Sequence, residues 1–137
     1  MAGLYFADAF YWIASTNRQD NWHSRVLAWG RSHPTARLVT TEEVLTEVLN
    51  WFASAGALNR RVASLAVQNV ISDPAIQVLP QTSADFHDAL ALYESRPDKG
   101  YSLTDCRSMT AMRALGILEI LTNDRHFSQE GFTILFP

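Results

Sequence analysis

The sequence predicts an α/β fold, a three-layer α/β/α sandwich with a mainly parallel central sheet. Short apolar runs alternate along the chain with amphipathic segments, the order of strands and helices that builds parallel sheets. The first apolar run has no alternating polar residues, as expected for a strand buried on both faces. With 137 residues, of which 47% are apolar, the chain is predicted to form a single domain over residues 1–137.

The first predicted strand covers residues 4–7, a short apolar run that ends at Asp8. We expect it to lie in the middle of the sheet. Beyond it the pattern becomes helical or irregular. A helix is then predicted over residues 21–33, where large apolar side chains recur at helical spacing and Pro34 provides a stop signal. Residues 37–40 form the second predicted strand.

The middle of the chain predicts two helices and a third strand. Thr40 and Glu43 have the spacing of a capping box, which predicts a helix that begins there and ends near Gly56. A second amphipathic helix is predicted over residues 59–71, and residues 76–79 form the third strand. The inward face of that second helix is predicted to carry four apolar side chains: Val62, Leu65, Ala66 and Val70.

The last part of the chain repeats this alternation. A helix capped near residues 82–83 is followed by a loop of turn-forming composition. Ser102 then begins a helix that runs to about Leu115. Residues 118–121 form the fourth strand, and residues 133–136 are predicted to add a fifth strand at the sheet edge.

Composition restricts the class of protein. Cys106 is the single cysteine, so a disulfide framework is excluded. The N-terminus lacks the basic region of a signal peptide and no apolar run is long enough to cross a membrane, so we expect a cytoplasmic protein. The formal charge of −3 argues against a protein that coats nucleic acid nonspecifically, but it is compatible with a nuclease whose acids are committed to metal.

Two aspartates follow predicted strands directly. Asp8 ends the first strand and Asp124 comes just after the fourth. Ligands of open α/β sheets gather beyond the carboxyl ends of the strands, so both side chains are expected at one rim. Parallel neighbours lie about 4.8 Å apart, which is close enough for two such acids to share an ion. The alternative is that each aspartate only serves the chemistry of its turn.

Two further acids are predicted on helices. Glu47 shares a helical face with Val44, Val48 and Trp51, so its carboxylate points inward and needs a partner, unless it reaches solvent at the margin of that face. Asp105 lies in the first turn after Ser102, where a capping role alone also explains it. Four such carboxylates repel one another without a cation, and oxygen ligands favour Mg²⁺ or Mn²⁺.

Four segments of the sequence, residues 6–8, 41–49, 101–106 and 121–127, together resemble PIN-domain ribonucleases. The resemblance spans nearly the whole chain and is strongest to the toxin components of VapBC-type toxin–antitoxin systems. It implies a PIN-like fold and a Mg²⁺- or Mn²⁺-dependent endoribonuclease with an RNA substrate, either a toxin with a cognate antitoxin or a stand-alone nuclease. The acidic residues of the family map onto four positions, none of them missing: Asp8, Glu47, Asp105 and Asp124.

Roles within this site are assigned only in part. Asp8 and Asp124 are interpreted as direct metal ligands, while Glu47 and Asp105 bind a second ion, orient water or help to accept its proton. Supporting roles are predicted for four other side chains: Arg107 and Arg125 for phosphate contact, and Ser102 and Thr122 for hydrogen bonds to ligand carboxylates. The alternatives for these four are solvated arginines, a helix cap and a turn.

The four histidines do not form a zinc pattern, so no ligand role is predicted for His23, His33, His87 or His126. Two other classes of protein remain open. One is a noncatalytic PIN-like module that binds nucleic acid or protein. The other is a phosphoacceptor receiver domain, which fits less well because Asp8 has no adjacent acid and the expected late lysine is missing. A homodimer is also expected, because the helices near Trp51 and over residues 59–71 carry more apolar positions than one small sheet covers.

Overall fold

The computed structural model describes residues 3–137, so the part of the signal-peptide argument that concerns Met1 and Ala2 lies outside the described residues. Five parallel strands form one sheet in the order β3-β2-β1-β4-β5. The strands are β1 (Leu4–Ala7), β2 (Arg37–Thr41), β3 (Ile76–Leu79), β4 (Glu119–Leu121) and β5 (Thr133–Ile134). The described helices are α1 (Ala9–Thr16), α2 (His23–Ser32), α3 (Glu42–Trp51), α4 (Ala57–Ser72), α5 (Ser83–Ser95), α6 (Leu103–Leu115) and α7 (His126–Gln129).

The predicted strands are confirmed, and β1 lies at the centre of the sheet as expected. Phe6 of β1 is paired with Val39 of β2 on one side and with Ile120 of β4 on the other. All three side chains are buried, because helices cover both faces of the sheet. The chain winds from β1 toward β3, then crosses back to β4. Right-handed crossovers therefore put α1–α4 on one face and α5 and α6 on the other.

The start of α3 differs from the prediction by one residue. Thr41, not Thr40, caps the helix by accepting a hydrogen bond from the Val44 N–H at 3.1 Å. Thr40 is instead a buried residue of β2, and its hydroxyl donates to the Ala7 carbonyl at 2.9 Å and accepts from Trp12 Nε1 at 3.3 Å. The strand thus extends further than its apolar run, because these hydrogen bonds satisfy the buried hydroxyl.

The helices α3 and α4 correct two further predictions. Gly56 does not end α3, which stops at Trp51; with φ of 94° it is the residue that precedes α4, a backbone conformation suited to glycine. The buried side chains of α4 are Ala63, Val67 and Val70. Of the four positions predicted for the inward face, only Val70 is buried, whereas Val62 and Leu65 are exposed and Ala66 is half-buried. Ala63 and Val67 face inward in place of Val62 and Leu65.

The predicted start and end of α6 are confirmed. Ser102 and Asp105 form a reciprocal capping box, and Gly116 ends the helix in the left-handed conformation with φ of 67°. No helix within residues 3–137 is long and apolar enough to span a bilayer. The direction of winding reverses between β1 and β4, and open α/β sheets bind ligands at such a switch point. The carboxyl ends of these two strands are therefore the place to look for a site.

Candidate metal centre

Asp8 lies at the carboxyl end of β1, where the chain turns into α1. Its carboxylate makes no cap hydrogen bond to the helix; it accepts instead from Thr122 Oγ1 at 2.9 Å. The residue is 8% exposed, and this burial raises the pKa of Asp8 to about 7 although the Thr122 hydrogen bond opposes the shift. A carboxyl group in this condition gains a proton near neutral pH unless a cation lies beside it.

Asp124 follows β4 at the same rim of the sheet. Its Oδ1 accepts from the backbone N–H of His126 at 2.9 Å, and its own N–H donates to Thr122 Oγ1 at 3.2 Å. Thr122 is completely buried. One hydroxyl therefore contacts both the carboxylate of Asp8 and the backbone of Asp124, which ties the two strand ends together. The predicted hydrogen bond of Thr122 to an acidic side chain is present.

Glu47 enters the site from α3, the helix that follows β2. The side chain is half-buried, and its loss of contact with water raises its pKa. The negative charge of Asp105 raises this pKa further, whereas the neighbouring Thr104 hydroxyl lowers it. The inward orientation predicted for Glu47 thus brings it close to Asp105, and within residues 3–137 it forms no ion pair with an arginine or lysine.

Asp105 enters from the first turn of α6. Its Oδ2 accepts from the Ser102 N–H at 3.0 Å, while its N–H donates to Ser102 Oγ at 3.0 Å. Asp105 therefore takes part in capping α6 and also lies at the rim of the sheet. Burial is the main cause of the raised pKa of Asp105, followed among the raising effects by the charge of Asp124. The backbone N–H of Ser102 thus holds this carboxylate in place, while the Ser102 hydroxyl serves as the helix cap.

His126 also lies in this group, which the sequence did not predict. Its Nδ1 is 3.3 Å from Asp124 Oδ1 and 3.8 Å from Asp105 Oδ2. Asp105, Asp124 and His126 each offer a ligand atom within 4.8 Å of the other two. Asp8 and Glu47 border this trio, and the charges of both Asp105 and Glu47 raise the pKa of Asp8.

The charge balance of the group fits a divalent cation. Four carboxylates lie close together and partly out of water, yet no lysine or arginine in the described part of the chain pairs with any of them. Three of them have raised pKa values, mainly because burial disfavours the ionised form and in addition because of the negative charges beside them. Carboxylate oxygens are the ligands that Mg²⁺ and Mn²⁺ prefer. The donor set thus suits such an ion, and a bound ion would remove the repulsion.

The predicted phosphate contact of Arg107 does not fit its position. The residue is 5% exposed, its Nε donates to Glu43 Oε2 at 3.0 Å, and its Nη2 lies 3.3 Å from Asp85 Oδ2. The guanidinium is thus occupied by two carboxylates that are not among the four acids of the site. Arg125, by contrast, is exposed beside Asp124 and forms no ion pair within residues 3–137. It remains the candidate for phosphate contact.

Two side chains of the site were missed by the sequence reading. His126 carried a usable signal, because it stands two residues after Asp124 and a tight turn brings such neighbours together. Thr104 carried none, since its proximity to Glu47 depends on how α3 and α6 meet. The omission of Thr104 therefore concerns packing between helices, whereas that of His126 concerns a local turn.

Comparison with known proteins supports the fold. No family model matches the sequence, and no curated protein matches it either. Among solved structures, the chain is similar to Mycobacterium tuberculosis VapC20, a sarcin-ricin loop cleaving toxin, with a TM-score of 0.83 and 24% identity over 95% of this chain and 96% of that one. It is also similar to FitAcB from Neisseria gonorrhoeae, with a TM-score of 0.65 and 16% identity over 96% of this chain and 95% of that one. The chain therefore has the three-layer α/β/α PIN-like fold that the sequence resemblance implies.

Proposed function

We propose that this chain, with its PIN-like fold, is a metal-dependent endoribonuclease that acts as a single domain over residues 1–137. One observation carries the proposal: four carboxylates from two strand ends and two helices meet at the switch point of the sheet, and no lysine or arginine among residues 3–137 forms an ion pair with any of them. Holding acidic side chains partly out of water without a counterion costs folding free energy, and a bound metal ion would offset this cost. Hydrolysis of phosphodiester bonds by divalent metal is the chemistry that such a group serves.

The choice of RNA as substrate is supported by one of the two structural neighbours. VapC20 is described as a toxin that cleaves the sarcin-ricin loop, and its fold covers this chain almost completely. The sequence resemblance to VapBC-type toxins points the same way. On this basis we propose that the chain is the toxin of a toxin–antitoxin pair, with a cognate antitoxin as its protein partner. The alternative is a stand-alone nuclease, which has the same activity but no antitoxin.

The four acids would hold Mg²⁺ or Mn²⁺. Such an ion, when bound, lowers the pKa of water and neutralises charge on the phosphate. Asp8 and Asp124 provide oxygen ligands from neighbouring strand ends, and Thr122 fixes the orientation of Asp8 through its hydrogen bond of 2.9 Å. Glu47 and Asp105 would complete the ligand set or accept a proton from water. Exposed Arg125 supplies positive charge for a phosphate beside Asp124.

A cleavage assay with an end-labelled RNA tests this function. The purified chain should cut the RNA in Mn²⁺ or Mg²⁺ and stop when EDTA is added. Asp8→Asn should abolish cleavage, while Asp88→Asn, a matched change at an exposed position of α5, should leave the rate unchanged. Binding of RNA without cleavage under every metal condition would favour the noncatalytic module. Cleavage that persists in EDTA would contradict the metal requirement.

A further inference from the structure

His126 presents one ring nitrogen to the acidic group. It is the first residue of α7, and its Nδ1 lies 3.3 Å from Asp124 Oδ1 and 3.8 Å from Asp105 Oδ2. This nitrogen is buried, and it has no hydrogen-bond partner. An imidazole nitrogen in such a place normally donates a proton or binds a metal. Neither carboxylate meets it with hydrogen-bond geometry. In the tautomer that carries its proton on Nε2, Nδ1 has a lone pair available to bind an ion.

The imidazole ring is held in this orientation. Tyr101 packs against it edge-on, with ring centroids 5.3 Å apart. Gly100 borders its opposite nitrogen so closely that a Cβ atom there would lie 3.3 Å from Nε2. The backbone N–H of His126 is also fixed, because it donates to Asp124 Oδ1 at 2.9 Å. The ring therefore does not need to reorganise in order to present Nδ1 to the site.

We propose that Nδ1 of His126 is a direct ligand of the metal, together with carboxylate oxygens of Asp105 and Asp124, so that the site has mixed nitrogen and oxygen donors. This inference rests on the proposed metal-dependent function. Two ligands that are each about 2.1 Å from one cation lie at most about 4.2 Å apart. The separations of 3.3 Å and 3.8 Å from Nδ1 to the two aspartates satisfy this limit.

A nitrogen ligand changes which metal the site prefers. Mg²⁺ is a hard cation that takes oxygen ligands and gives up its water reluctantly, whereas imidazole binds first-row transition metals well. The site should therefore bind Mn²⁺ in preference to Mg²⁺. An all-oxygen site made from the four acids alone would show a smaller preference for Mn²⁺.

Pulsed electron paramagnetic resonance on the wild-type chain loaded with Mn²⁺ tests the inference without any variant. A directly bound imidazole nitrogen gives a characteristic modulation of the Mn²⁺ signal, which should change when histidine is labelled with ¹⁵N. Bound Mn²⁺ with no nitrogen coupling would overturn the role of His126 and leave the proposed nuclease function intact. A signal of free Mn²⁺ alone would overturn both.

Calorimetric titration of two variants gives an independent test. His126→Ala should lower the affinity for Mn²⁺ by at least about ten- to a hundredfold, the range seen when a residue that only supports a metal ligand is lost, and should lower the affinity for Mg²⁺ by less. His87→Ala is the matched control, because His87 is exposed on α5 and its Nδ1 is bonded to the Ser83 carbonyl. Equal losses for the two metals, or no loss for Mn²⁺, would contradict the proposal.

Discussion

Arg107 of α6 and Glu43 of α3 form an ion pair, with 3.0 Å between Nε and Oε2. The pair lies one helical turn from Glu47 on α3 and two residues from Asp105 on α6. The side chains are 6% and 20% exposed, so both charges are largely removed from water. This contact joins the two helices that deliver acids to the site and fixes their relative position. Arg107 is accordingly a positioning residue in the structure.

Arg107→Met is expected to destabilise the fold. The substitution leaves Glu43 and Asp85 near each other without their cation, and breaking a buried pair costs roughly 3–5 kcal/mol. The double variant Glu43→Gln, Arg107→Met should recover part of this loss, since it removes one of the uncompensated charges. Urea unfolding of the three proteins measures the effect. If Arg107→Met left the free energy of unfolding unchanged and weakened RNA binding, Arg107 would instead be assigned to phosphate contact.

Glu47→Gln should preserve the fold and lose most of the metal-dependent cleavage of RNA. Glutamine keeps the size of the side chain and removes the charge that Glu47 brings to the site. In the metal-free protein, stability should hold or rise, because the raised pKa of Glu47 indicates that its ionised form is disfavoured. The paired measurement is thermal unfolding in EDTA beside cleavage in Mn²⁺, with exposed Glu94→Gln as the control. Cleavage at the wild-type rate would remove Glu47 from the site.

The metal-free protein should lose stability as the pH rises from about 5 to about 7.5. The folded pKa of Asp8 is about 7 against an ordinary value of 3.8, so the folded state binds more protons than the unfolded state in this window. Stability then falls with rising pH and levels off above the folded pKa. The low pKa of Glu130, about 2 because of Arg96 and Arg113, acts only at more acidic pH.

Urea midpoints in EDTA across this range provide the measurement. Asp8→Asn should reduce the fall in stability with rising pH. Asp88→Asn, at an exposed position of α5, should show the same fall as the wild type. A wild-type curve that rises with pH over the same range would refute the assignment of a buried, uncompensated carboxyl group. Addition of Mn²⁺ should also flatten the wild-type decline, because the bound cation favours the ionised form of Asp8.

The exposed face of α4 leads us to expect a homodimer. Leu58, Val62 and Leu65 follow helical spacing, and with Trp51 of α3 they are between 41% and 74% exposed. Such an apolar surface is typical of a region that another molecule covers. Light scattering should give twice the mass of the chain at micromolar concentration. For Leu65→Glu the measured mass should fall to that of a single chain. A wild-type monomer across that range would contradict the expectation.

Much of the fold follows from local patterns in the sequence. Apolar runs define the strands, and the capping box of Ser102 with Asp105 defines the start of α6, since both signals lie within a few neighbouring residues. The position of Asp8 beside Asp124 also follows, because parallel strands end at a common rim. The orientation of α4 does not follow. Its apolar residues nearly surround the helix, and only packing against the rest of the fold selects Ala63 over Val62 for the buried face.

The candidate site divides in the same way. Its four acids are predicted from their places at strand ends and on helix faces. The partners of Arg107 are not predictable, because Glu43 lies 64 residues earlier in the chain and the contact exists only when α3 and α6 pack together. His126 depends on the turn after β4, whose hydrogen bond from His126 to Asp124 brings the imidazole toward the site. Local signals thus identify the carboxylates but not the side chains that position or complement them.

Calorimetric titration with Mn²⁺ tests the central claim that the acids at the strand ends form a metal site. The wild-type chain should bind the ion, and the double variant Asp8→Asn, Asp124→Asn should lose most of the affinity while remaining folded, because asparagine keeps the size of each side chain. Asp88→Asn should bind as the wild type does. Equal affinity for Mn²⁺ in the wild type and in the double variant would contradict the metal site and, with it, the nuclease mechanism proposed for this fold.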